Sequence, residues 1–423
     1  MAESSWASLL HWSKWMALAN GSWHALMAQA PAEAMLLLSW MLSSDSTSPA
    51  LAPNETDRRD AGPTEQGTAV MFMSNHPVFT KAVVPRLREA AGRFVVVSSV
   101  AEVGEYCKEL GCDYIHFPTC ENAMRFAAIC KEQPAYAAEV EKTYEVLKEW
   151  KPDVMITCGF FVLPPRAVKI PSKVALNLHN AKLPLYRGGV AYQAQILRGE
   201  PTFECCVHVM TDVIDDARDV LVRSRPLCLE GKTTLDAIQA TAEVAPQMIL
   251  DALHMVLSDE VREPEEVPTG DLPHAFGVKK QTWTDAAGVR WSSNCGVLSR
   301  VRIEWSEDTA VDIERASRAF NVRYHLFTDY QGRPFRVDHC MLQPEATTKP
   351  PGQILWASGR GEDLLVGVAT CDGRVVLLRG QLVDGAAPVG ALEVGSRFES
   401  VTLVSDWLKY PNTDRLPGGL RYC

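Results

Sequence analysis

Two side chains of complementary chemistry stand two residues apart in this chain, Asn177 and His179. Positions two apart on an extended strand project to one face, so an amide donor and an imidazole arrive side by side. That pair suits a reaction in which negative charge grows on a carbonyl-type oxygen. A carboxylate beside the imidazole would orient the ring and favour its charged form. The acidic turn holding Asp212, Asp215, Asp216 and Asp219 supplies the candidates, and spacing leaves the choice among them open. An Asn and a His at a strand end also serve as turn residues satisfied by the backbone, so spacing alone stops at a candidate site. Arg187 has two readings, an anion contact in the site or a guanidinium that ties loop carbonyls together.

The elements that must position these residues are legible as hydrophobic runs. Ala69 to Met73 is a short apolar strand that ends in the turn Ser74-Asn75-His76-Pro77, with helical periodicity beyond it through Val83, Leu87 and Ala90. Phe94 to Val97, Val154 to Thr157 and Val174 to Leu178 read as further buried strands. Ala101 to Leu110 and Ala135 to Trp150 read as the intervening helices. Near-continuous apolar strands alternating with helices imply a mainly parallel sheet covered on both faces, an α/β domain. Asn177 and His179 then lie at the carboxyl end of a parallel strand, where open α/β sheets form their binding crevice. Beyond Gly199 the spacing predicts strands over Phe203 to Thr211 and Val220 to Arg225, then one long helix from Thr233 to Leu257. From about Val297, short strands with Gly turns and one helix over Ala310 to Ala319 predict a small β-barrel domain.

A chain of 423 residues exceeds one ordinary domain. The expected division is an N-terminal extension and linker over 1–66, an α/β domain over 67–262, a linker over 263–296, a β-barrel domain over 297–405 and a tail over 406–423. A net charge of −10 argues against a surface built as a whole to attract nucleic acid or anionic membrane. The twelve cysteines show no CxxC pair and read as reduced thiols of an intracellular or organelle-interior protein. The first sixty residues carry Lys14 as the only Lys or Arg before Arg58, fewer than a transit peptide needs. Ala25 to Leu42 is apolar but broken by Pro31 and Glu33, which argues against a membrane span.

The stretch from Ala175 to Gly189 resembles the signature of the formyltransferase superfamily: Asn-x-His at Asn177 and His179, then Leu183-Pro184, then Tyr186-Arg187-Gly188. In that superfamily an Asp follows the His at a fixed interval, and Asp215 is the residue that fits. Lys151-Pro152-Asp153-Val154 and the run from Cys158 to Pro164 resemble the family's Pro-Asp strand and folate-pocket loop. Ile303-Glu304-Trp305, Pro351-Gly352-Gln353-Ile354 and Asp372-Gly373-Arg374 resemble the C-terminal barrel of methionyl-tRNA formyltransferases. The resemblance implies a Rossmann-like catalytic domain followed by an OB-like barrel. It also implies formyl transfer from 10-formyltetrahydrofolate to an amine, without a metal. Asn177 would donate to the oxyanion; His179, as imidazolium, would stabilise that oxyanion and help move protons; Asp215 would hold His179 charged and accept the amine's proton. Phe160, Phe161, Val162 and Leu163 would lie against the folate ring, together with Val213, Asp216 and Ala217. Ser74, Asn75 and Arg187 are candidates for the acceptor side.

The chain departs from the family at four places. Ser98-Ser99-Val100 leads straight into a helix where methionyl-tRNA formyltransferases carry a longer basic loop. Ala181 stands for the usual Ser, Asp216-Ala217 for an x-Gly turn, and Cys158 for the usual Tyr. Asp216 is therefore a reserve candidate for the carboxylate. The barrel implies initiator Met-tRNA as acceptor and, by family inference, a mitochondrial setting. The short loop favours an amino sugar or other small amine instead. A third reading is a non-catalytic relative serving as an RNA or ribosome-assembly platform, with a ribosome-associated partner.

Overall fold

The computed structural model describes residues 67–120, 126–211, 214–215, 219–258, 283–284, 290–291, 301–322, 325–359, 364–382 and 392–400. The predicted extension 1–66, the tail 406–423 and most of the 263–296 linker lie outside them. Inside that linker, the two-residue strands β10 (Trp283–Thr284) and β11 (Arg290–Trp291) pair antiparallel.

The catalytic half begins with β1 (Ala69–Met73), α1 (Pro77–Ala90), β2 (Arg93–Ser98), α2 (Ala101–Leu110) and β3 (Asp113–His116). Next come α3 (Phe126–Glu132), α4 (Pro134–Trp150), β4 (Val154–Cys158), α5 (Pro165–Val168) and β5 (Val174–His179). Proline opens α1, α4 and α5, at helix starts where its missing N–H costs nothing. The chain continues with α6 (Ala191–Arg198), β6 (Thr202–Phe203), β7 (Cys206–Val209), β8 (Val220–Arg223), β9 (Leu227–Cys228) and α7 (Thr234–Leu257). The main sheet has the order β3-β2-β1-β4-β5-β7-β8. It is parallel from β3 to β5, while β7 runs antiparallel to β5 and β8 antiparallel to β7.

One predicted element differs. The single strand expected over Phe203 to Thr211 is two: β6 pairs with β9 in a separate ribbon, and only β7 enters the main sheet. The break falls at Glu204-Cys205, where the Cys205 N–H is taken by the Ser224 hydroxyl instead of a ladder partner. The helix α6 and the edge strand β3 carry too few apolar residues in period to stand out in the sequence.

Both faces of the sheet are covered. One core joins Phe72, Val83, Leu87 and Ile156 to α6 and α7; the other joins Met71, Met155, Phe117, Phe161 and Leu147. The order reverses between β1 and β4, with β2 to one side of β1 and β5 beyond β4, and this is the switch point where such sheets open a crevice.

The C-terminal half consists of α8 (Ala310–Ala319), β12 (Leu326–Tyr330), β13 (Arg333–Ala346), β14 (Ile354–Ser358), β15 (Leu365–Ala369) and β16 (Arg374–Leu382). The five strands form an antiparallel sheet in the order β12-β13-β16-β15-β14. Residues Ser396 to Glu399 close it by bonding both edges: Asp329 and Glu399 exchange backbone hydrogen bonds at 2.8 and 2.9 Å, and Ile354 N–H reaches Ser396 O at 2.9 Å. Closure removes the exposed strand edges and encloses Trp305, Phe335 and Phe398.

Candidate active site

Asn177 and His179 occupy two of the last three positions of β5, either side of Leu178, as the strand reading requires. Their neighbour on one side is β4, on the other β7, so the two side chains meet groups from three strands. Asp215 comes from the loop between β7 and β8 in a left-handed conformation, φ 50°. A non-glycine residue there is strained by about 1–3 kcal/mol and persists where its surroundings fix it. Those surroundings are explicit. One carboxylate oxygen of Asp215 accepts the Gly188 N–H at 2.7 Å, and the other lies 3.6 Å from His179 Nδ1 and 3.8 Å from His208 Nε2. The Asp215 side chain is only 10% exposed. Burial alone would raise its carboxyl. The charges of His179, His208 and Arg187, with the Gly188 N–H, outweigh that and hold it below the usual carboxylate range.

The His179 ring faces oxygen on both sides. Its Nε2 donates to the Tyr186 carbonyl at 3.0 Å, and its Nδ1 faces the Asp215 carboxylate. The carbonyl contact fixes a hydrogen on Nε2 and turns Nδ1 towards the carboxylate. The His179 Nε2–H is thus engaged by Tyr186 in this structure. Tyr186 turns its carbonyl inward through a left-handed backbone, φ 55°, with its ring buried and its hydroxyl bonded to Glu200. The donor left to the crevice is the Asn177 amide. Its Oδ1 accepts the Thr157 hydroxyl at 2.7 Å, and Nδ2 lies 3.1 Å from His208 Nε2, which leaves a second amide hydrogen uncommitted by these contacts.

His208 is a site residue that spacing did not flag. It sits directly across the ladder from Asn177 on β7, 2% exposed. The available signal was a histidine inside an otherwise apolar strand, Cys206 to Val209. Thr157, 3% exposed at the end of β4, was likewise read only as strand. Of the acidic candidates within the described residues, Asp215 and Asp219, Asp215 is the one placed against His179. Asp212 and Asp216 lie outside the described residues, as do Val213 and Ala217.

Other expectations are revised. Ser74 is fully buried, and its hydroxyl accepts the His76 N–H at 3.1 Å. Asn75 Oδ1 accepts the Ser99 N–H at 2.9 Å, tying the turn after β1 to the turn after β2. The Ser74 hydroxyl and the Asn75 carbonyl oxygen thus serve backbone donors of the two turns, while Asn75 itself is half-buried. Arg187 donates to the Ile214 carbonyl, which favours the loop-tying reading. Phe161 and Leu163 belong to the second core, Phe161 stacked on Phe126 at 4.8 Å, and Phe160 packs edge-on against Phe117 at 5.2 Å. They fill space between β4 and the helices behind it. Val162 is the exposed member of that loop, at 53%.

The family model for formyl transferases matches residues 67–253, and the model for the formyl transferase C-terminal domain matches residues 299–391. Together they span about two thirds of the chain. Among curated relatives, a methionyl-tRNA formyltransferase of Neisseria meningitidis is 27% identical over 231 residues, 54% of this chain and 68% of the relative. One of Neisseria gonorrhoeae is 26% identical over 234 residues, with the same coverage. Among solved structures, HypX from Aquifex aeolicus aligns with a TM-score of 0.48 and 17% identity, over 74% of this chain and 45% of that chain. This chain thus spans under half the length of HypX. An N-formyltransferase from Helicobacter canadensis aligns with a TM-score of 0.45 and 11% identity, over 74% of this chain and 99% of that one.

Proposed function

This chain belongs to the formyltransferase family, and on that premise we propose that it moves a formyl group from 10-formyltetrahydrofolate to the methionyl amine of initiator Met-tRNA. The observation that carries the transfer chemistry is the meeting of Asn177, His179, His208 and Asp215 at the carboxyl end of β5. The choice of acceptor rests on the curated relatives, which are methionyl-tRNA formyltransferases, and on the barrel that follows the catalytic half. A mitochondrial setting is part of the same proposal, since formylated initiators belong to bacteria-like translation.

The donor supplies the formyl carbon. Val162 and Ile214, both more than half exposed on loops after β4 and β7, suit the cover of a flat apolar ring system. Asn177 Nδ2 donates to the oxygen on which charge develops as the amine bonds to the formyl carbon. His179, held between the Tyr186 carbonyl and Asp215, sets a positive charge beside that oxygen. Asp215 keeps the ring charged and, directly or through water, takes the proton that the amine gives up. The bond from the formyl carbon to the donor nitrogen then breaks, and the proton leaves with that nitrogen.

One observation favours a smaller acceptor. Ser98 ends β2 and α2 begins at Ala101, so no long basic loop stands at the position where tRNA would enter. The deciding experiment incubates the full chain with 10-formyltetrahydrofolate and either charged initiator tRNA or an amino sugar nucleotide. Formyl-methionine release is expected, with Asp215→Asn and His179→Ala each lowering it by at least about a hundredfold. Turnover on the sugar alone would overturn the tRNA assignment, and unchanged turnover in both variants would overturn the site.

A further inference from the structure

We propose that Thr157 is a positioning residue of the transfer reaction: its hydroxyl decides which end of the Asn177 side chain faces the crevice. The proposal rests on the formyl-transfer reading above, because it assigns that amide the task of meeting the oxyanion.

An asparagine amide is nearly symmetric in shape, and only its hydrogen-bond partners distinguish oxygen from nitrogen. Around Asn177 those partners form a chain whose assignment follows from the His208 ring, taken as neutral when the amide is set. His208 Nδ1 lies 3.0 Å from the Val209 carbonyl, which can only accept, so Nδ1 carries a hydrogen. While the ring is neutral, Nε2 is an acceptor for one hydrogen of Asn177 Nδ2, 3.1 Å away. Asn177 Oδ1 is left pointing at β4, where the Thr157 hydroxyl donates to it at 2.7 Å. The second Nδ2 hydrogen remains for the crevice.

Thr157 stands out on its own strand. The other members of β4, Val154, Met155, Ile156 and Cys158, are buried and apolar, and a hydroxyl among them is costly unless bonded. Its alternatives are poorer: the Leu176 carbonyl at 3.3 Å and the Met210 sulfur at 3.6 Å. The short bond to Oδ1 is therefore the one that uses its single proton. Without that donor, Oδ1 loses its partner among the apolar residues of β4, and the amide gains by rotating until its oxygen faces the crevice. An oxygen there repels the charge that the nitrogen would have met.

The test compares Thr157→Val, which keeps shape and removes the hydroxyl, with Thr157→Ser, which keeps the hydroxyl. Each is assayed in the full chain with 10-formyltetrahydrofolate and charged initiator tRNA, beside calorimetry with a stable folate analogue. Thr157→Val is expected to lower kcat by about tenfold or more while KM and analogue affinity stay within about twofold of wild type. Thr157→Ser is expected to restore most of kcat. Loss of the hydroxyl through packing alone predicts lower affinity and no rescue by Ser, and that pattern overturns the proposal. So does a Thr157→Val enzyme with wild-type kcat. If wild type transfers no formyl group to any amine, the functional reading fails together with this proposal, whereas active wild type with equally active Thr157→Val defeats the proposal alone.

Discussion

Asp215 carries the most demanding environment of any single residue in the site. Its carboxyl is buried, a condition that by itself favours the proton, yet His179, the Gly188 N–H, His208 and Arg187 hold it lowered. The folded value lies below the unfolded one, about 3.9 for an Asp. The unfolded chain therefore binds the proton more readily. The stability contributed by this carboxylate is complete above the ordinary carboxylate value and is lost as pH falls through the lowered folded value. Asp215→Asn removes that dependence. Denaturant midpoints taken from pH 7 downward are expected to show the largest gap between wild type and variant at neutral pH, closing as the solution becomes acid. Parallel curves would show that the site charges do not stabilise the fold.

At the scale of elements, the catalytic stretch is a strand, a loop and a return strand, and their legibility differed for physical reasons. The strand β5 was readable because its apolar run is continuous and its polar members fall two apart. The same alternation placed Asn177 and His179, and the interval to Asp215 came from the family's spacing. His208 escaped because it lies on a neighbouring strand, and cross-strand register is a tertiary fact that no window of local sequence contains. The burial of Phe161 and Leu163 was not legible from the loop's sequence, because their packing against Phe126 and Phe117 is a tertiary contact. Helix ends were plain. Thr233 caps α7, accepting the Asp236 N–H at 3.2 Å while the Asp236 carboxylate takes the Thr233 N–H at 2.7 Å. This helix packs on α1, α6 and the strands beside the site, so weakening its start should be felt globally. Thr233→Ala is expected to cost about 1 kcal/mol, measured as a lower midpoint of denaturant unfolding. A change in local helicity with an unaltered midpoint would mean that α7 frays independently of the domain.

At the scale of the whole molecule, the barrel meets the catalytic half through α8, which lies against α6. Three contacts make the joint: the Thr234 hydroxyl donates to the Ala319 carbonyl at 2.7 Å, Arg318 donates to the Lys232 carbonyl at 2.7 Å, and the Arg315 guanidinium lies on Gly199. Gly199 is the left-handed cap of α6, φ 72°, and its neighbours hold the catalytic loop: Glu200 bonds the Tyr186 hydroxyl, and Arg198 lies over the Tyr186 ring. Tyr186 in turn offers its carbonyl to His179. A continuous chain of contacts thus runs from Arg315 of the C-terminal half to His179. Gly111 provides the control, since it is also a left-handed helix cap, φ 63°, but a side chain there meets nothing. Gly111→Ala should cost only the backbone penalty, roughly 1–2 kcal/mol. Gly199→Ala should cost more, because its methyl group displaces Arg315, and it should also lower formyl transfer, which Gly111→Ala leaves unchanged. In an Arg315→Ala background the excess should vanish, since the methyl group then has space. Equal losses of stability at the two glycines, with activity intact in both, would show that the barrel and the catalytic loop are not coupled through this joint.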